Sequence, residues 1–209
     1  MKIVYSGGYN KNSDKSIKAS FINSYHSLIS KAVNSGKKIA FVTLAKPDGY
    51  YDNLIYPLYN TAVDVIDSAK LKDLRWSIYD GIFIFGGNEM PLYEGLKKTN
   101  FSLNKLKKNV VILGDSAGAY VLSSYFYSLA PGKTRDNQIK FFPGFNPDAK
   151  VITVAHKNNP VYCNEILIAN VNKFAKSKNV RVLMLNENEH QTADLLLQFF
   201  LRLVHRGFC

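Results

Sequence analysis

Val110-Val111-Ile112-Leu113-Gly114-Asp115-Ser116-Ala117-Gly118-Ala119 is the stretch on which the fold turns. Four aliphatic residues in a row suit a short strand buried on both faces. They run straight into a tight turn, and the turn runs into small residues that open a helix. Strand followed directly by helix is the repeating unit of a parallel α/β sheet. Gly114 and Gly118 fit this reading, because bulky side chains there would crowd the turn and the close helix–strand approach. Ser116 is forced out at the strand's C-terminal end, where open α/β sheets place their sites. Such a serine is either a nucleophile or an ordinary helix N-cap, and G-x-S-x-G alone leaves both readings open. The N–H of Ala117, immediately after it, points where a developing oxyanion would sit.

The same rhythm extends in both directions. Short β-branched or aromatic runs predict strands at Lys2–Tyr5, Ile39–Leu44, Gly81–Phe85, Val110–Leu113, Val151–Val154 and Val180–Leu185. Amphipathic stretches between them predict helices over 16–35, 56–71, 91–99, 117–128 and 160–178, with Pro91 in a first turn, where its missing N–H costs nothing. No repeat or linker interrupts the alternation. Residues 1–209 therefore read as one doubly wound α/β domain, a mostly parallel sheet with helices on both faces. The tail, 195–209, begins almost continuously apolar and suits either strand or helix.

Composition sets outer bounds. Of 209 residues, 46% are hydrophobic and 21% charged, which excludes global disorder and allows a sizeable core. No apolar run approaches the roughly 18–20 residues of a bilayer span, so no membrane role is expected. The N-terminal stretch has no signal-peptide core, so the expected location is cytoplasmic. There, Cys163 and Cys209 are expected as free thiols, and they have no metal-ligand spacing. Twenty-seven basic against sixteen acidic residues give a net charge of +11. The lysines are scattered and no aromatic residues interleave with arginines, so a solvated surface is expected rather than a nucleic-acid partner.

A second constellation precedes the serine by one strand: Gly81-Ile82-Phe83-Ile84-Phe85-Gly86-Gly87-Asn88. Paired glycines after a strand let the backbone approach a ligand, and the Gly87 N–H can supply a second oxyanion donor. Asn88 either lines that cleft or caps the helix that follows. A serine nucleophile also needs a base. Among His26, His156, His190 and His205, His26 falls within a helix, and nothing fixes the direction of the last two. His156 closes the strand at Val151–Ala155 and so emerges at a strand end, as either base or cap.

Phe85-Gly86-Gly87-Asn88 followed by a helix, then Gly114-Asp115-Ser116-Ala117-Gly118-Ala119, resembles the peptidase E and cyanophycinase family of serine peptidases. The opening Val4-Tyr5-Ser6-Gly7-Gly8, the strand Phe41–Ala45 and the late Leu185-Asn186-Glu187-Asn188 sit where that family has comparable elements. The resemblance implies a class I glutamine amidotransferase-like (flavodoxin-like) fold, with Ser116 as nucleophile and His156, 40 residues on, as base. It places the third member, a carboxylate, between the two. Only Asp136 and Asp148 lie there; Asp136 falls in the loop region where the family has its acid, and Asp148 resembles a turn residue. Glu187, or a dyad without any carboxylate, is the remaining alternative. The segment after His156 departs from peptidase E, since no Arg occurs before Arg181. Lys157 offers positive charge without a bidentate fork, so strict aspartyl dipeptide specificity is not implied.

The function implied is a serine peptidase that cleaves small peptides through an acyl-enzyme and needs no metal or organic cofactor. Gly87 and Ala117 would form its oxyanion hole, and Gly86, Asn88 and Lys157 would contact substrate. A homo-oligomer is compatible with the sequence. The rival reading is a non-catalytic binding protein that holds a small ligand on the same scaffold.

Overall fold

Strand β1 (Lys2–Ser6) lies second from one edge of the larger of two sheets. The computed structural model describes residues 1–8, 37–52, 63–71, 74–129 and 139–194. On one side β1 pairs in parallel with β5 (Val111–Asp115), which continues to β4 (Gly81–Ile84), β2 (Ile39–Val42) and β3 (Val63–Ile66), all parallel. On its other side β10 (His190–Asp194) runs antiparallel, with His190 opposite Ser6. Side chains alternate between two buried faces. Ile3, Tyr5, Ala40, Val42, Ile82 and Ile84 join one core, whereas Ile39, Phe41 and Phe83 join the other. Burial on both faces is why these strands read as unbroken apolar runs. Full burial of a side chain such as Phe41 or Ile82 contributes roughly 1.5–3 kcal/mol.

The second sheet has the order β7 (Ile139–Pro143), β6 (Tyr125–Leu129), β8 (Val151–Val154), β9 (Arg181–Met184). Only β6–β7 is antiparallel in it. The architecture is α/β with mostly parallel strands, as expected, but the sheet is divided in two where a single sheet is predicted. Chain length explains the division. After β5 come the short helix α1 (Ala117–Val121) and a turn, and β6 begins at Tyr125. A parallel crossover needs about a dozen residues or more, so β6 has no route back to the first sheet. Both neighbours of β5 are in any case taken by β1 and β4.

This also corrects the helix predicted over 117–128. Ser123 donates to the Ala119 carbonyl and Ser124 to the Asn146 carbonyl, both buried, and the alternating Tyr125-Phe126-Tyr127 is a strand former. The helix predicted over 56–71 is likewise corrected where it is described. Val63-Asp64-Val65-Ile66 forms β3, and a single 3₁₀ turn, Ser68–Lys70, follows. Two helices stand close to their expected places: α2 (Glu89–Lys98) and α3 (Glu165–Lys178). Asn88 and Asn164 cap them, with Glu89 and Glu165 in the first turns and lysines in the last, matching the helix dipole. The predicted helix 16–35 and the tail 195–209 lie outside the described residues. Among the described residues, no helix is long and apolar enough to cross a membrane.

Candidate active site

The C-terminal ends of both sheets meet at the loop after β1. Ser116 N–H donates to the Ser6 carbonyl at 3.0 Å, and His156 N–H donates to the Gly7 carbonyl at 3.0 Å. Asn188 N–H donates to the Gly8 carbonyl at 2.7 Å. Residues 6–8 thus connect the end of β5 to the ends of β8 and β9. Beneath them the Ser6 hydroxyl donates to the buried Asp115 carboxylate at 2.8 Å, fixing the turn from below.

Ser116 sits at φ 50°, ψ −106°, a conformation that L residues rarely adopt and that costs about 1–3 kcal/mol. Its side chain makes no capping hydrogen bond to α1. Instead Ser116 Oγ lies 2.9 Å from His156 Nε2. An N-cap would spend its oxygen on its own helix, and this hydroxyl does not. Gly118 makes the turn feasible: a Cβ there would lie 2.2 Å from the Ile84 carbonyl oxygen.

His156 follows β8 and is itself at φ 54°. Its Nδ1 lies 2.9 Å from Glu187 Oε1, and the Glu187 side chain is only 2% exposed. A carboxylate facing Nδ1 as acceptor selects the tautomer with the proton on Nδ1, which turns the Nε2 lone pair to the serine hydroxyl. Asn159 Nδ2 donates to the same Oε1 at 2.8 Å, and Glu187 N–H donates to Asn158 Oδ1 at 2.8 Å. One carboxylate oxygen thus meets both His156 and Asn159, and the Glu187 backbone is anchored as well. Tyr162 packs on the outer face of the imidazole with ring centroids 4.7 Å apart, and is itself 47% exposed.

The glycine loop after β4 closes the other side. A Cβ on Gly86 would lie 3.0 Å from Ser116 Cβ, so the loop backbone and the serine are in close approach. Among the described residues, no backbone acceptor takes the N–H of Gly87 or of Ala117. Asn88 Oδ1 accepts from Met90 N–H, which is the capping alternative for that residue. Lys157 is exposed, and its backbone N–H is held by the Leu185 carbonyl. Burial pushes the Cys163 thiol up, against a smaller opposing effect of Lys157, so it stays protonated near neutrality and does not compete as a nucleophile.

Asp136 lies outside the described residues, as do His26, His205 and Cys209. Asp148 occupies the exposed 3₁₀ turn before β8, as its sequence context suggests. The carboxylate on the histidine is Glu187, which the order of the chain does not single out. The available signal is positional: Glu187 follows a strand that pairs with the strand carrying His156.

With this geometry in hand, comparison with known proteins adds the fold. No known family and no curated protein matches the chain. A solved structure similar to it is that of a peptidase from an acI-B1 Actinobacterium, 14% identical with a TM-score of 0.50. The match covers 92% of this chain and 82% of that one. The chain shares a peptidase's fold. Identity this low bears on fold only.

Gly8 provides a local test of the site. At φ +83°, a Cβ there would lie 2.3 Å from His156 Cε1 and 2.5 Å from Nε2. Gly8→Ala is expected to push the imidazole off Ser116. Misplacement on the 1 Å scale can cost about 10²-fold in rate. The left-handed backbone adds roughly 1–2 kcal/mol of destabilisation. Steady-state hydrolysis of an activated aryl ester, read beside a thermal melt, checks both effects.

Proposed function

We propose that this protein is a serine hydrolase that cleaves small peptides, with Ser116 as nucleophile, His156 as general base and Glu187 as the acid of the triad. The observation that carries the reading is the continuous Ser116–His156–Glu187 chain, 2.9 Å at each link. Its fold, shared with a peptidase, supports the reading, and the Phe85–Asn88 and Gly114–Ala119 motifs favour peptidase E-like enzymes within it. In the first step the Ser116 proton passes to His156 Nε2 as Oγ bonds to the scissile carbonyl carbon. The N–H groups of Gly87 and Ala117 stabilise the oxygen anion. The imidazolium then gives its proton to the leaving amine, the C–N bond breaks and an acyl-enzyme remains. Water repeats the sequence, with His156 taking its proton, and the acid product departs.

Glu187 orients the ring and stabilises the imidazolium. A scaffold that only bound a ligand would have no use for a strained serine on a histidine polarised from its far side. The test is an active-site-directed fluorophosphonate. One equivalent should attach, and peptide mapping should find it on Ser116. An unlabelled protein, or label on another residue, would refute the serine mechanism.

A further inference from the structure

The peptide between Gly86 and Gly87 is held by a side chain that is not part of the triad. The Tyr51 hydroxyl donates to the Gly86 carbonyl at 2.6 Å. Tyr51 is buried, and its ring packs on Phe85 with centroids 4.6 Å apart, so the phenol is fixed in place. Both ends of this stretch are anchored too. Gly86 lies against Ser116, and Asn88 N–H donates to the Ala45 carbonyl at 2.7 Å. Neither anchor sets the plane of the peptide between them.

Among the described residues, no other hydrogen bond fixes that plane. A peptide flanked by two glycines rotates about ψ of the first and φ of the second, and neither has a Cβ to resist it. Gly87 is already at φ +141°, where glycine alone is at ease. In a trans peptide the C=O and the following N–H point in opposite directions. Half a turn would thus replace the Gly87 N–H with the Gly86 carbonyl oxygen, exchanging a hydrogen-bond donor for a negative dipole end where an oxyanion must form.

We propose that Tyr51 is a positioning residue for the oxyanion hole: by holding the Gly86 carbonyl, its hydroxyl keeps the Gly87 N–H turned toward the reacting carbonyl oxygen. This rests on the serine-hydrolase reading. Acting through the Gly86 carbonyl, Tyr51 exerts its effect on the transition state, where the oxyanion exists, and little on the ground state.

The experiment is Tyr51→Phe, which keeps the ring and removes only the hydroxyl. Wild type and variant are titrated to completion with the fluorophosphonate, and turnover of an activated aryl ester is expressed per titrated site. Misfolded protein then does not enter the rates. Loss of an entire oxyanion donor costs about 10²–10³-fold in kcat, so a loosened one is expected to cost about ten- to a hundredfold, with KM little changed. A kcat within about twofold of wild type, or a raised KM with kcat held, overturns the proposal. A wild-type protein that takes up no label overturns the serine-hydrolase reading, and this proposal with it. A labelled wild type with an equally fast variant overturns this proposal alone.

Discussion

Ser116→Ala is expected to lower kcat for peptide or ester hydrolysis on the order of 10⁵- to 10⁶-fold, the scale seen when a triad nucleophile is removed. The fold should persist, since Ser116 Oγ serves no helix cap and the change removes one oxygen atom at a turn. The backbone supplies a sharper control. At φ 50°, ψ −106°, serine and alanine meet the same steric objection, whereas glycine meets none. Ser116→Gly should therefore be as inactive as Ser116→Ala yet more stable than it, by about 1 kcal/mol after glycine's own entropic cost. Denaturant melts of the two variants beside wild type measure the difference. Strain stored under a residue that contributes nothing to helix capping is expected of a nucleophile, and has no purpose at an ordinary cap. An alanine variant keeping most of its activity would sink the mechanism, and a glycine variant no more stable than alanine would remove the strain argument.

β2, β4, β5 and β8 are readable because burial on two faces leaves a continuous apolar run, while β1 and β9, at or next to a sheet edge, still carry short apolar runs. Ser116 was readable because a strand, a turn and a helix meet within ten residues, all of it local. What escaped was set by distant partners. β10, His190-Gln191-Thr192-Ala193-Asp194, is polar and owes its strand to the free edge of β1. β6 reads as helix in the sequence because Leu122-Ser123-Ser124 stops α1 through bonds to Thr153 and Asn146, which only folding brings near. Glu187, which the sequence offers only as an alternative acid, depends on distant partners in the same way. Its link to His156 depends on β8 and β9 pairing in parallel with Val154 opposite Met184, so that both residues leave the sheet at the same edge. Nothing within either segment encodes that pairing. Tyr51 was invisible for a similar reason, since its partner is a backbone carbonyl 35 residues away.

That dependence makes Glu187 the most informative residue to change after the serine. Glu187→Gln keeps the shape of the side chain and removes its charge. Two donors, His156 Nδ1 and Asn159 Nδ2, converge on Oε1, so the glutamine should turn its carbonyl oxygen toward both and its amino group away. The imidazole then keeps its tautomer, and the lost contribution is the stabilisation of the imidazolium that forms as Ser116 attacks. The expected fall in kcat is about 10²- to 10⁴-fold, the upper end matching triads in which the amide also imposes the wrong tautomer. KM should change little, because the charge that Glu187 stabilises is absent from the ground state. Asp148→Asn serves as the control: an exposed turn aspartate exchanges for asparagine with its local hydrogen bonds largely kept, and near-normal turnover is expected. Asp136→Asn completes the comparison. All three are compared on the alkaline plateau of each variant's pH–rate profile, where the base is neutral throughout. A crippled Asp136→Asn beside a near-normal Glu187→Gln would return the acid to the loop between the serine and the histidine. If instead all three turn over at the wild-type rate, the working unit is a Ser116–His156 dyad, and the buried carboxylate serves only to hold the ring.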